Sequence, residues 1–145
     1  MIKRIVVRDK ILAIIISSQF SDPGIHFFTP NDFSQQLAYI KRPKNYRIDP
    51  HVHNLVPRNI ELTQEVLFIK SGRVRVDFYD QDKVYLESHE LKTGDVILLA
   101  HGGHGFTMLE ASEIIEVKQG PYASDNDKIR FNGVSEKELN IKNDK

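Results

Sequence analysis

Four of the six histidines fall in two short clusters, His51-Val52-His53 and His101-Gly102-Gly103-His104. Residues i and i+2 of a strand point to the same face, so His51 and His53 can aim two imidazoles at one point. That spacing suits two ligands of one metal ion, although composition alone would supply about a quarter of such a pair in this chain. Support comes from Glu65, which on a strand shares its face with Leu67 and Ile69. A carboxylate among such neighbours costs free energy unless it is paired or bound to a cation. His104 follows a Gly-Gly turn and shares its face with Phe106 and Met108. Two or three His with one Glu is a donor set for Fe(II), Mn(II), Ni(II) or Zn(II), with positions left open for substrate.

The rest of the composition narrows the chemistry. The chain has no cysteine, which excludes thiolate catalysis, disulfides and Cys-ligated zinc. Twenty Lys and Arg balance twenty Asp and Glu, so no net charge draws the chain to phosphate backbones or anionic lipid, and neither nucleic acid nor membrane is expected as a partner. At 145 residues and 40% apolar composition it is expected to form one domain, residues 1–145, with a full core. Basic residues precede an apolar run at the N-terminus, but Arg8-Asp9-Lys10 interrupts it and residues 11–16 are too short for a signal peptide's apolar region. A cytoplasmic location is expected.

The elements that must position these side chains read as strands. Residues 2–7 and 11–16 are β-rich and lack alternation, the pattern of strands covered on both faces. The second cover is expected from another subunit, making the protein a homodimer. Turns are expected at 21–24 and 29–32, then a strand at 35–40 and a break at 41–46. Further strands are expected at 47–54 (carrying His51 and His53), 61–70, 73–79, 84–91, 96–99, 106–110 and 113–118. Tight turns at Ser71-Gly72 and Gly94-Asp95 separate several of them. Short strands with turn signals every eight to twelve residues or so indicate an all-β sandwich or barrel. Residues 135–141 carry a helix-start signature, with Ser135 as N-cap and Glu138 three positions on, so a short C-terminal helical or frayed tail is expected.

The order HxH, then Glu65 with Gly72 seven residues later, then Gly94-Asp95 leading to a Gly-rich turn and His104, resembles the cupins. The resemblance spans roughly residues 28–122. It implies a single jelly-roll β-barrel in which His51, His53, Glu65 and His104 hold a divalent metal. Eleven residues separate His53 from Glu65, where the family has three or four, so Glu61 on the same strand face is the alternative carboxylate. The second motif is one residue short and lacks its proline, so His101 is the alternative final ligand.

By the same resemblance, the expected function is that of a small-molecule enzyme or binder, with a sugar or sugar nucleotide as ligand in a surface-polysaccharide pathway and isomerase or epimerase chemistry. Three alternatives stand beside it: a metal-free sugar-nucleotide isomerase using the His51–His53 pair as acid and base, an Fe(II) oxygenase, and a non-catalytic sugar-binding cupin. The metal-free reading brings in Tyr39, with Arg47, just upstream. Glu116 and Lys118 share a face of the last strand. If that face points inward, Glu116 is a candidate general base and Lys118 a candidate anion ligand. A solvated outer face is the plainer reading for both. Arg73, Arg75 and Asp77 alternate in the same manner and are expected in solvent, while His26 and His89 have no expected role.

Overall fold

The computed structural model describes residues 1–142. It is all-β, with ten strands in three antiparallel sheets and, among the described residues, no α-helix. The strands are β1 (Ile2–Val7), β2 (Lys10–Ile16), β3 (Gly24–Phe27), β4 (Ala38–Lys41), β5 (Glu65–Ser71), β6 (Arg73–Tyr79), β7 (Tyr85–Lys92), β8 (Val96–Leu99), β9 (Gly103–Met108) and β10 (Glu113–Lys118). The larger sheet has the order β1-β2-β8-β5-β10, a three-stranded sheet the order β7-β6-β9, and β3 pairs with β4 alone.

The larger and the three-stranded sheets face each other across one apolar core. Residues directly opposite in register share a face, so Ala13 and Ile15 of β2, Ile97 and Leu99 of β8, and Leu67 and Ile69 of β5 point inward together. They meet Val74, Val76 and Phe78 of β6 and Leu91 of β7, all in the same buried cluster. At one side of this sandwich β1 lies over β7, where Lys3 Nζ approaches His89 Nδ1 at 3.4 Å. Elsewhere across the sandwich Glu65 of β5 meets His104 of β9.

Turn chemistry sets the register. Gly72 joins β5 to β6 at φ +87°, where a Cβ would strike the Ala111 carbonyl and the Ser112 side chain. Gly72→Ala should therefore lower stability by more than about 1 kcal/mol, read as a lower urea midpoint at unchanged slope. An unaltered midpoint would mean that the turn relaxes around the methyl group. Asp95 is buried, and its carboxylate accepts the backbone N–H groups of Ser18 (2.8 Å) and Lys92 (2.9 Å), which fixes the turn into β8.

Several expectations need correction. The second cover on β2 comes from this chain itself: Ile14 and Leu98, on the outer face of the large sheet, are fully buried within one copy. Segment 28–37 lies on that side, tied down where Arg4 Nη2 donates to the Phe28 carbonyl at 2.9 Å. Gly24, expected to close a turn, instead opens β3, and residues 25–27, where no element is expected, continue it in pairing with β4. No strand forms at 47–54; residues 42–64 carry no regular backbone pairing. Pro43, Pro50 and Pro57 remove donors there, and an extended segment becomes a strand only where a neighbouring edge accepts it.

Arg75 and Asp77 are buried at 5% and 6% exposure, whereas Arg73 stays half in solvent as expected. The tail makes the difference. Its expected helix is a single 3₁₀ turn, Glu136–Glu138, and the tail lies along the outer face of the three-stranded sheet. Phe131 packs edge-on against Tyr79, the Tyr79 hydroxyl accepts the Val134 N–H, and Ile141 bridges to Ser88 of β7. Arg75 donates to both carboxylate oxygens of Glu136 at 3.0 Å.

Candidate functional site

Glu65 is the first residue of β5, and the chain places it inward because Leu67 and Ile69 must reach the core and every second residue shares their face. Register sets it between Leu99 of β8 and Lys118 of β10. It is 7% exposed. Across the sandwich His104, opposite Phe78 in β9, brings Nε2 to 3.6 Å from Glu65 Oε2. Contact with His104 holds the Glu65 carboxyl below the ordinary glutamate value, against the upward push of burial, and the Lys118 and Lys128 charges add to the lowering. Glu65 is thus a carboxylate favoured in its ionised form, set against an imidazole, with Leu67 and Ile69 beside it on the same face of β5.

Glu116 and Lys118 share this inward side with Ile114, which packs on the core, while Ile115 and Val117 face outward. Lys118 Nζ lies 3.3 Å from Glu116 Oε1, an ion pair that raises the Lys118 pKa. The face therefore points toward the site, though at the rim, and both side chains remain partly in solvent. Beside it opens a cleft of about 300 Å³ whose wall includes Lys118, Tyr122, Lys128 and Arg130. Lys128 and Arg130 were not singled out from sequence; the basic positions in DNDKIRF were the available signal.

The other candidates lie elsewhere. His51 and His53 sit together with ring centroids 5.3 Å apart, but on an exposed segment away from regular structure. Among the described residues, no group of three or more His, Cys, Asp and Glu is gathered as a metal would require. Within one chain the four-ligand set therefore does not converge. The alternative ligands Glu61 and His101 both line a second cleft of about 280 Å³ with Phe33, and His101 Nδ1 is engaged with the Ile11 carbonyl at 2.9 Å. Tyr39, on β4, packs edge-on against Phe20 and lies near His26. Arg47 is exposed near Asp49. His89, expected to be idle, is buried with Nε2 2.8 Å from Glu87 Oε1.

In comparisons with known proteins the chain matches no protein-family model, no curated protein and no solved structure.

Proposed function

We propose that the chain is a cupin-type protein that binds and transforms a small anionic molecule at the Glu65–His104 pair. The observation that carries this is the buried Glu65 carboxylate 3.6 Å from His104 Nε2, across the two-sheet core; the lowered pKa of Glu65 agrees with it. Functional sites concentrate such perturbed groups. The donor chemistry of Glu65 and His104 suits a divalent metal such as Fe, Mn, Ni or Zn, with His51 and His53 as the remaining ligands. Lys118, Lys128 and Arg130 in the adjoining cleft suit a phosphate-bearing substrate, and a sugar nucleotide has that chemistry. The sugar itself and the isomerase or epimerase reaction rest on the family resemblance alone.

A metal-free reading also stands, here moved from the His51–His53 pair to Glu65 and His104. An imidazole beside a buried carboxylate can serve as a positioned proton carrier, and His104 Nε2 lies 3.6 Å from Glu65 Oε2. Metal analysis of protein purified without added ions separates the two readings. About one equivalent per chain is expected for the metal reading. A metal-free protein that turns over a sugar nucleotide would establish the acid–base reading instead, and a metal-free protein with no affinity for sugar phosphates would sink both.

A further inference from the structure

The segment between β4 and β5 is an arm of unusual composition for its exposure. Leu55 is 101% and Val52 90% exposed, with Ile48 and Val56 also more than half in solvent. Its polar contacts over 42–58 are local: Tyr46 N–H to the Pro43 carbonyl, Arg47 with Asp49, His51 Nδ1 with the Asp49 carbonyl and Arg58 with the Val56 carbonyl. Contiguous apolar exposure of this kind marks a surface built to be covered.

Three features of the same chain define what covers it. First, both sheets end beside the Glu65–His104 pair: among the described residues β10 has only β5 as a strand neighbour, and β9 only β6. A free edge takes an extended segment through its unpaired N–H and C=O groups. Second, Pro50 and Pro57 bracket six residues, 51–56, that keep every backbone donor, and β9 is six residues long. Third, a strand laid along the free edge of β9 with His51, His53 and Leu55 inward sets two imidazoles beside His104 and turns Val52 and Val56 to the other face. The arm carries the two ligands that the Glu65–His104 pair lacks.

We infer that the arm of one copy adds as a strand to the β9 edge of a second copy and delivers its His51 and His53 to that copy's Glu65 and His104. Exchange between two copies is reciprocal under two-fold symmetry, so one event buries both arms and completes two sites. The metal half of this inference and the third of these features rest on the proposed function; the free edges, the arm's exposure and its length do not.

The chain has no cysteine, so the His53→Cys/His104→Cys variant carries only the two introduced thiols. Mild oxidation should convert it to a covalent dimer on a non-reducing gel, while each single variant stays uncrosslinked. Loss of both thiols within a monomer, meaning an arm folded back on its own chain, would overturn the inference, and so would two thiols that stay free. As a check independent of that variant's folding, light scattering should show a dimer for the unmodified chain and a monomer for Val52→Asp/Leu55→Asp; a monomeric unmodified chain overturns the inference. Co(II) then reads the composite site. Mixing His51→Ala/His53→Ala chains with Glu65→Ala/His104→Ala chains should restore about one quarter of the unmodified protein's cobalt sites, because half the dimers are hybrids and each has one whole site. Cobalt bound by the unmodified chain but absent from the mixture overturns delivery in trans. Cross-linked dimers that bind no cobalt uphold the arm and overturn only the metal reading.

Discussion

Arg75→Met should cost about 3–5 kcal/mol of stability, the range for breaking a buried ion pair from one side, and lower the melting temperature by on the order of 10 °C. Arg75 is held at every edge of its guanidinium. Nε and Nη2 donate to the two oxygens of Asp77 at 2.9 and 3.3 Å, Nη1 and Nη2 to Glu136 at 3.0 Å each, and Nη2 also to Thr107 at 3.2 Å. Methionine fills much of the space but leaves the Asp77 carboxylate buried with the Ser88 hydroxyl as its remaining partner. The tail also loses its anchor. Arg75→Met/Asp77→Leu should cost less than Arg75→Met alone, since the second change removes the orphaned charge. Urea unfolding of the three proteins checks this, and a single variant within about 1 kcal/mol of the parent would refute the network's role. The pH dependence follows from Glu136, whose pKa Arg75 holds below the ordinary 4.5. A depressed carboxyl stabilises the fold above its unfolded pKa, and that contribution disappears as pH falls through the folded value. The acid limb of a stability–pH curve, below about pH 4.5, should accordingly flatten in Glu136→Gln.

Glu65→Gln should have the largest functional effect. The amide keeps the shape of the side chain and removes its negative charge, so the anionic partner of His104 is gone while the packing of Leu67 and Ile69 beneath it stays. Under the metal reading, the variant should weaken Co(II) binding by at least about 100-fold, because even partners outside a ligand set are worth 10–100-fold. Under the acid–base reading the same variant keeps no positioned imidazole and loses turnover. His104→Ala should match it in both respects. Glu61→Gln and His101→Ala, at the other cleft, should leave cobalt binding unchanged. Isothermal titration with Co(II) across these four variants decides the ligand set. Parent-like affinity in Glu65→Gln, or a loss in Glu61→Gln, would move the centre to the Glu61–His101 cleft.

Much of the β framework was readable because it is local. Strands 2–7, 73–79, 96–99 and 113–118 lie where the β-rich runs, alternation and turn residues place them, and Gly72 and Gly94-Asp95 punctuate them as Gly and Asp must at tight turns. Glu65 and His104 were identifiable as inward-facing polar residues because period-two alternation says which residues share a face. The limits of that signal show in Arg75. Alternation puts Arg73, Arg75 and Asp77 on one face and Val74, Val76 and Phe78 on the other, but it does not say what covers a polar face.

The sequence by itself determined an all-β chain, the positions of most strands, and the residue types able to hold a metal or move a proton. Tertiary structure decided which of those residues meet. Glu65 and His104 lie in different sheets and touch only because the two sheets face each other, and Arg75 is covered where Glu136, 61 residues further on, folds back over it. The His51–His53 pair stays apart from them in a single copy, since an extended segment acquires a place only from the edge that pairs with it.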